Sequence, residues 1–222
     1  MNIVIAGGSS GLGLAMTHEF VNRKHNVLIS SRSINKLSQI KHKIFNNSEY
    51  LQIFQCDVQD YKQVEKLGRY ANYIFDNKIE HWINSAAVCE GPANFEDLEL
   101  EDVHEVISTN LLGTLYGCKV AETYNAKNIY TISGHGSNGF PTEGFPLYGL
   151  CKAAIQQFTQ TIKNDPVQMH TIAPGIMRTE LTQKLLEQNK LLDLLARNPE
   201  DVAKIIVPKI LGISGKNQIL RV

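Results

Sequence analysis

Residues 3–16, IVIAGGSSGLGLAM, decide the fold, because an apolar β-branched run passes through four glycines directly into a helical pattern. Gly7 allows a tight turn, Gly11 lets the backbone approach a pyrophosphate, and Gly13 lets a helix pack closely on the preceding strand. The amino terminus of that helix offers free N–H groups and the positive end of its dipole to phosphate. This stretch therefore predicts a dinucleotide-binding turn. The loop residues expected at the cofactor are Gly7, Ser9, Ser10, Gly11, Leu12 and Gly13.

The same alternation of short apolar runs and longer helical patterns continues along the chain and indicates repeated βαβ units. Strands joined by helices pair in parallel through right-handed crossovers, and the helices cover both faces of the sheet. We predict one domain, residues 1–222, of the α/β class with a doubly wound parallel sheet (Rossmann fold). Strands are predicted at 2–6, 26–31, 51–56, 81–84, 128–133, 167–173 and 218–222. Helices are predicted at 12–24, 34–45, 61–75, 98–124, 148–163 and 199–211.

Composition and charge exclude several classes of function. The 22 basic and 22 acidic residues are scattered rather than grouped, which argues against nucleic acid or an anionic membrane as a partner. No segment approaches the roughly 20 apolar residues that span a bilayer. The four cysteines stand singly and the histidines form no HExxH motif. We therefore predict no disulfide framework, no metal site and a reducing, cytoplasmic location.

Several motifs in order along the chain carry a family resemblance. The GxxxGxG spacing at 7–13 resembles the cofactor loop of the short-chain dehydrogenase/reductase family. INSAAV at 83–88, STNLLG at 108–113, LYGLCK at 147–152 and APGIMRTEL at 173–181 resemble further motifs of that family. The resemblance covers nearly the whole chain and implies an oxidoreductase that acts on a small-molecule carbonyl or alcohol. The cofactor contacts that it implies are Asn84, Ala86, Ala87, Tyr148, Lys152, Pro174, Gly175, Ile176 and Thr179.

Tyr148 and Lys152 are the candidate acid/base pair. Residues four apart face the same way on a helix, so the two side chains meet if a helix begins near residue 148. A free tyrosine has a pKa of about 10, and a nearby ammonium is expected to lower the pKa of Tyr148 toward neutrality. The resemblance implies that Tyr148 protonates a carbonyl oxygen, that Lys152 also holds the nicotinamide ribose, and that Asn110 positions a water. The Gly/Pro-rich segment before the helix is expected to form one wall of a substrate cleft.

The serine of the implied catalytic set is displaced. The family has it in an SS pair roughly 13 residues before the tyrosine, but His135 stands at that position here and SGHGS occupies 133–137. Ser133 ends the predicted strand and Ser137 follows a glycine-spaced turn that resembles reductases related to chlorophyll b reductase. Ser137 is preferred, Ser133 is the second candidate, and His135 is a further alternative. In another reading Ser133 only contacts the cofactor and the site uses a different donor.

The second predicted strand indicates which nicotinamide is used. Its end lacks the acidic residue that would hold the ribose 2′-OH of NAD, and has Ser31 followed by Arg32. A guanidinium suits bidentate contact with a 2′-phosphate, so NADP is favoured and NAD is the alternative. By analogy, Asp57 and Val58 after the third strand are expected beside the adenine.

Two regions outside the motifs concern the substrate and partners. Residues from about 179 to 198 are expected to form a short lid whose leucines either line an apolar pocket or pack on the body. A homodimer through the helices at 98–124 and 148–163 is expected by analogy. The preferred function is NADP(H)-dependent hydride transfer to or from a small or medium, apolar substrate. The alternative is a non-catalytic protein that senses NADP or acts as a scaffold.

Overall fold

The chain forms a seven-stranded parallel sheet in the order β3-β2-β1-β4-β5-β6-β7. This computed structural model describes residues 1–139, 141–162, 167–215 and 218–222. The reversal of strand order between β1 and β4 is the switch point at which doubly wound sheets bind ligands. The strands are β1 (Asn2–Ala6), β2 (Asn26–Ser31), β3 (Leu51–Gln55), β4 (His81–Asn84), β5 (Asn128–Ile132), β6 (Gln168–Ala173) and β7 (Ile219–Arg221).

Helices cover both faces of the sheet, as the alternating burial of β1 shows. Ile3 and Ile5 pack in one core cluster, with residues of the first and last helices. Val4 and Ala6 pack in the other, against helices from the middle of the chain. The α-helices are α1 (Gly11–Asn22), α2 (Ile34–Gln39), α3 (Tyr61–Ile74), α4 (Leu100–Val106), α5 (Gly113–Thr123), α6 (Pro146–Thr161), α7 (Gln183–Gln188), α8 (Lys190–Leu195) and α9 (Pro199–Leu211). The α/β fold predicted from the sequence is confirmed.

Two predicted helices are interrupted. The single helix predicted at 98–124 begins at Leu100 and contains a π-helical turn, Ile107–Leu112, between α4 and α5. The helix predicted at 34–45 likewise passes into a π-helical turn at Ile40–Ile44. Hydrophobic spacing does not easily distinguish one π-turn within an α-helix, because such a turn displaces the buried stripe by only about one residue.

Smaller differences concern element ends. Helix α6 begins at Pro146, two residues before the predicted start, because proline is well suited to the first helical position. Its predicted end at Lys163 lies outside the described residues. The strands predicted at 51–56, 128–133, 167–173 and 218–222 are each one or two residues shorter in the structure.

Two histidines are buried near the amino ends of the central strands. His170 on β6 donates from Nε2 to Asn128 Oδ1 over 3.1 Å and accepts the backbone N–H of Gln218 at Nδ1 over 3.2 Å. The distance between Nδ1 of His81, on β4, and the hydroxyl oxygen of Tyr130 is 3.0 Å. The ring of Tyr130 stacks on that of His170. Because Nδ1 of His170 accepts a hydrogen bond, this ring is neutral. Burial lowers the pKa of both histidines to about 4, and the neighbouring His170 contributes to the lowering for His81.

These histidines should make the protein sensitive to acid. Their folded-state pKa lies below the usual value of 6.5, so between about pH 6.5 and pH 4 the unfolded chain binds protons that the folded chain does not. The free energy of unfolding therefore falls as the pH drops through this window, by on the order of 3 kcal/mol for each ring. Urea unfolding at intervals from pH 7.5 to pH 4 measures the loss.

A variant separates this effect from general acid denaturation. His170→Gln keeps a donor and an acceptor but cannot take up a proton, so the dependence of stability on pH should become shallower. His104→Gln, at an exposed position on α4, is the matched control and should leave it unchanged. An unchanged slope in His170→Gln would show that these rings do not control acid stability.

Candidate active site

The glycine turn after β1 is shaped for close approach of another backbone or a ligand. Gly7 has φ +88°, and a Cβ there would lie 2.4 Å from the backbone nitrogen of Ala86. A Cβ on Gly13 would lie 2.2 Å from the carbonyl oxygen of Gly7, so α1 packs directly on the turn. Ser10, the N-cap residue, makes no side-chain capping bond in the described structure, which leaves the first N–H groups of α1 for an anion.

Loops from three strands meet at this turn. Ala86 follows β4 and contacts Gly7. Thr179 follows β6, and a Cβ on Gly11 would lie 3.4 Å from its Cγ2. The sequence separates these segments by more than 70 residues, and the parallel topology brings them to one edge. A pyrophosphate over the turn fits this cradle, whose shape depends on close packing at Gly7 and Gly13 that a side chain would disrupt. Also at the carboxyl ends of the strands, by position in the chain, are the predicted Ser9, Ser31, Asp57, Val58, Ala87, Pro174, Gly175 and Ile176.

Asn84, predicted as a cofactor residue, has its side chain inside the protein instead. Its Oδ1 accepts from Trp82 Nε1 over 3.0 Å, and its Nδ2 donates to the carbonyl of Tyr130 over 3.3 Å. A Cβ on Gly117 of α5 would lie 1.9 Å from the same Oδ1. Asn84 therefore connects β4 to β5 through a hydrogen bond and packs against α5, beneath the carboxyl edge of the sheet.

Arg32 lies on the surface beyond the end of β2. Its Nη1 is 3.3 Å from Glu105 Oε1 of α4, with the two side chains 58% and 50% exposed. An exposed ion pair of this kind contributes little to stability and can be exchanged for another anion. The backbone carbonyl of Arg32 accepts a hydrogen bond from Gln55 Nε2 over 3.0 Å, and this bond fixes the start of the loop after β2.

Tyr148 and Lys152 come together on α6, as the four-residue spacing predicted. Lys152 Nζ lies 5.3 Å from the centre of the Tyr148 ring and donates to the carbonyl of Ile132 over 3.0 Å. The lysine is only 5% exposed. Gly134 packs against the phenol, since a Cβ there would lie 2.6 Å from Tyr148 Oη.

The expected lowering of the tyrosine pKa is wrong for this structure. Burial raises the pKa of Tyr148, and the nearby Cys89, Glu90 and Cys151 raise it further. Burial also lowers the pKa of Lys152 to about 8. The ammonium lies beside the ring and bonds to a backbone carbonyl, so desolvation of the phenol outweighs its attraction. Tyr148 is therefore held protonated at neutral pH.

The two serine candidates lie side by side. Ser133 Oγ and Ser137 Oγ are 2.7 Å apart, and Ser137 Oγ donates to the carbonyl of Gly134 over 2.6 Å. A hydroxyl has one proton, so Ser133 must be the donor to Ser137. His135 is exposed to solvent. The structure thus joins the two serine alternatives into one chain of hydrogen bonds next to Gly134.

Asn110 sits in the π-helical turn that replaces the middle of the predicted long helix. Its Oδ1 accepts from the backbone N–H of Val88 over 2.9 Å, and its Nδ2 donates to the carbonyl of Val88 over 2.8 Å. The resemblance implied that Asn110 positions a water. In this structure its side chain pairs with the loop after β4, and the second N–H of the amide remains for a further acceptor.

Glu90, in the same loop, is a residue that the sequence reasoning missed. Its Oε1 accepts from the backbone N–H of Leu147 over 2.8 Å and from that of Tyr148 over 3.0 Å. Burial raises the pKa of the adjacent Cys89 thiol to about 12, with the Glu90 carboxylate adding to the shift. Glu90 belongs to no motif, and in the sequence only the lack of a side chain before α6 that could cap the helix indicated a partner from elsewhere.

The lid predicted at 179–198 consists of α7 and α8 on a closed base. Two backbone hydrogen bonds form the base. The N–H of Arg178 donates to the carbonyl of Arg197 over 2.9 Å, and the N–H of Arg197 donates to the carbonyl of Ile176 over 3.0 Å. The Arg178 side chain pairs with Asp193 over 3.1 Å and also bonds to backbone carbonyls of the lid. Leu186 is buried, whereas Leu194 is 78% exposed. Whether the lid leucines line an apolar pocket or pack on the body stays a prediction.

Two further observations concern groups that other enzyme classes would use. Among the described residues, no cluster of three or more His, Cys, Asp or Glu side chains could hold a metal ion. Cys151 is buried, and burial raises the pKa of its thiol to about 11. This residue therefore packs in the interior and is not placed as a reactive thiol.

In the same described segments, no helix combines the length and the apolarity needed to cross a membrane.

Comparison with known proteins agrees with this geometry. Residues 1–190 match the family model described as short chain dehydrogenase. The chain is similar to "Chlorophyll(ide) b reductase NOL, chloroplastic" of Arabidopsis thaliana, with 31% identity over 233 residues that cover 96% of this chain and 66% of that protein. It is also similar to "Probable chlorophyll(ide) b reductase NYC1, chloroplastic" of the same plant, with 28% identity over 245 residues covering 98% and 49%. The chain thus spans about half to two thirds of these relatives.

Solved structures resemble the whole fold. The structure titled "ElxO with NADP Bound" superposes with a TM-score of 0.82 at 23% identity, covering 99% of this chain and 96% of that chain. At this identity the likeness is evidence for the fold. The cradle, the Tyr148 and Lys152 pair and the serine chain are evidence for the chemistry that the fold supports.

Proposed function

Because the chain belongs to the short-chain dehydrogenase family, we propose that it is an NADPH-dependent reductase of a carbonyl group on a small or medium, apolar molecule. The observation that carries the proposal is that Tyr148 and Lys152, which lie together on α6, pack against Gly134, whose carbonyl accepts the hydrogen bond of Ser137. The chain is an oxidoreductase of this family, and the proposal concerns its cofactor and its substrate.

The residues of the cradle would hold the cofactor. The N–H groups at the start of α1 and the backbone at Gly7 and Gly11 suit the pyrophosphate, with Ala86 and Thr179 on either side. The nicotinamide supplies hydride chemistry when bound. The buried Lys152, held by its hydrogen bond to the carbonyl of Ile132, would donate to the nicotinamide ribose.

Tyr148 is the proton donor in this mechanism. Reduction of a carbonyl requires a proton at the oxygen, and a phenol whose pKa is raised by burial keeps its proton until the oxygen becomes basic. Ser137 supplies a hydrogen bond to the same oxygen by turning its proton from the Gly134 carbonyl. Ser133 continues to donate to Ser137 and strengthens it as a donor.

The apolar character of the substrate is supported by exposed apolar side chains in two segments that follow strands of the sheet. Phe95 and Leu100, in the segment after β4, and Leu194, in the lid, are all largely exposed. Exposed apolar groups near a cleft are typical of ligand-binding surfaces. The names of the two plant relatives support reduction as the direction of the reaction.

The choice of NADPH is tested by the ion pair at Arg32. We expect Arg32→Ala to weaken NADPH binding about 10- to 100-fold, because a charged hydrogen bond to phosphate contributes roughly 1.5–3 kcal/mol. Binding of NADH, which lacks the 2′-phosphate, should be unchanged. Glu105→Gln removes the competing carboxylate and should tighten NADPH binding a few-fold. Fluorescence titration, through energy transfer from the single Trp82 to the reduced nicotinamide, measures both cofactors.

The titration also separates the proposal from its alternatives. Equal losses for NADH and NADPH in Arg32→Ala would mean that Arg32 does not read the 2′-phosphate. Binding of NADPH without turnover of any carbonyl compound would favour the non-catalytic sensor. Binding of neither cofactor would contradict both functions.

A homodimer is proposed for the face formed by α5 and α6. A mostly apolar cavity of about 200 Å³ lies there, bordered by Leu115, Phe158 and Met169. Such a face is suited to a second copy of the chain. Light scattering of the purified protein measures the mass that tests this. The cytoplasmic location inferred from the sequence stays a prediction.

A further inference from the structure

The first turn of α6 is held from outside the helix. Phe145 precedes the helix and its aromatic side chain cannot accept a hydrogen bond, so it cannot serve as a cap. Pro146 has no N–H, and the next two N–H groups belong to Leu147 and Tyr148. Both are donated to Glu90 Oε1, over 2.8 and 3.0 Å. Glu90 thus caps a helix that begins 56 residues later in the chain.

The loop that carries Glu90 also holds Asn110. The Asn110 amide pairs with both backbone groups of Val88, two residues before Glu90. The segment 88–90 therefore connects the π-helical turn to the first turn of α6. A displacement of this loop would move Tyr148 relative to Asn110, and errors of about 1 Å in such a site reduce rates strongly.

The charge of Glu90 acts on the same tyrosine. Its carboxylate is one of the groups that raise the pKa of Tyr148 beyond the effect of burial. The second oxygen, Oε2, is buried, and the neighbouring Cys89 thiol hydrogen-bonds to the same carboxylate. The Glu90 side chain is therefore held between its own loop and the first turn of α6.

We propose that Glu90 is a positioning residue for Tyr148: its Oε1 fixes the first turn of α6, and its carboxylate places a negative charge at the amino end of the helix that carries the phenol. The catalytic part of this inference rests on the proposed function, because it assigns Glu90 to the same reaction. The capping part concerns the fold of the site and stands apart from any substrate.

Two substitutions separate the two roles. Glu90→Gln keeps an oxygen that accepts the two N–H groups but removes the charge. Glu90→Ala removes both. Glu143→Gln, an exposed glutamate in the segment before α6, is the matched control for a change of charge near the site.

Amide hydrogen exchange, followed by NMR, tests the cap without any substrate. In Glu90→Ala the amides of Leu147 and Tyr148 should exchange at least about tenfold faster than in the wild type, because they lose a charged acceptor. In Glu90→Gln and Glu143→Gln they should stay protected. Wild-type protection in Glu90→Ala would overturn the capping role, and loss of protection in Glu143→Gln would assign the effect to the loop in general.

The pH profile of reduction tests the charge. Activity requires protonated Tyr148, and loss of the Glu90 charge should move the ionisation of the phenol to lower pH. Lys152, whose pKa is about 8, titrates first, so the second decline of activity, at higher pH, reports Tyr148 and should begin at lower pH in Glu90→Gln. The KM for NADPH should not change, and Glu143→Gln should keep the wild-type profile. An unshifted profile in Glu90→Gln would overturn the electrostatic role. If the wild type reduces no carbonyl, the proposed function fails, while ring-labelled tyrosine NMR, with Tyr148→Phe for assignment, still measures whether Glu90→Gln shifts the titration of the phenol.

Discussion

Replacing Tyr148 by Phe should abolish carbonyl reduction while the protein still binds NADPH with nearly wild-type affinity. The ring and its packing against Gly134 and Lys152 are retained, and only the hydroxyl is lost. Removing the general acid should lower kcat by about 100- to 10,000-fold. Burial keeps the wild-type phenol protonated, whereas the phenylalanine ring has no proton to give to the carbonyl oxygen. The measurement is NADPH oxidation with a panel of carbonyl compounds, beside a cofactor titration.

The control for this variant is Tyr73→Phe, which removes a hydroxyl from an exposed tyrosine on α3. It should leave both turnover and binding unchanged. Retained turnover in Tyr148→Phe with every substrate of the wild type would contradict the assigned proton donor. Loss of NADPH binding in the same variant would mean that the hydroxyl supports the cofactor site rather than the chemistry.

Replacing Gly7 by Ala should remove dinucleotide binding. The φ of +88° at this residue is strained for any L side chain, at about 1–3 kcal/mol, and the added Cβ would lie 2.4 Å from Ala86 N and 2.5 Å from Ala86 Cα. These neighbours are backbone atoms of the loop after β4, so they cannot rotate away. The turn and that loop must separate, and we expect NADPH affinity to fall by at least about 100-fold because its cradle is lost. Cofactor titration and thermal unfolding measure the two effects.

Gly215→Ala is the matched control. Gly215 has φ +93°, but the nearest atom to an added Cβ is the end of a flexible side chain, Gln218 Nε2, at 3.4 Å. This variant imposes similar backbone strain without the clash, so it should lose some stability and bind NADPH normally. Equal loss of binding in both variants would show that strain in general, and not the geometry of the cradle, controls the cofactor site.

The parts of the fold predicted from sequence are those with a periodic or local cause. The alternation of strands and helices follows from burial of apolar residues, and the glycine turn follows from backbone freedom at Gly7. The pairing of Tyr148 with Lys152 needs only the helical repeat. Each of these depends on residues within one or two turns of one another, so a single sequence carries enough information to predict them.

What the sequence could not provide depends on contacts between distant segments. The cap from Glu90 to Tyr148 joins residues 58 apart, and its loop has no motif. The direction of the tyrosine pKa shift was mistaken because spacing reveals the neighbouring Lys152 but not how deeply the phenol is buried. Ser133 and Ser137 remained alternatives because only the turn between them shows that their hydroxyls touch.

The closed base of the lid has a consequence for protein engineering. Its two ends are already joined by backbone hydrogen bonds between Arg178 and Arg197 and by the Arg197 bond to Ile176, so the segment between them begins and ends at one place. Segments with adjacent ends can be exchanged with little entropic cost to the rest of the chain. A lid grafted between Thr182 and Ala196, which keeps Arg178 and Thr179 in place, should therefore change which molecules are accepted while the sheet and Tyr148 remain as they are.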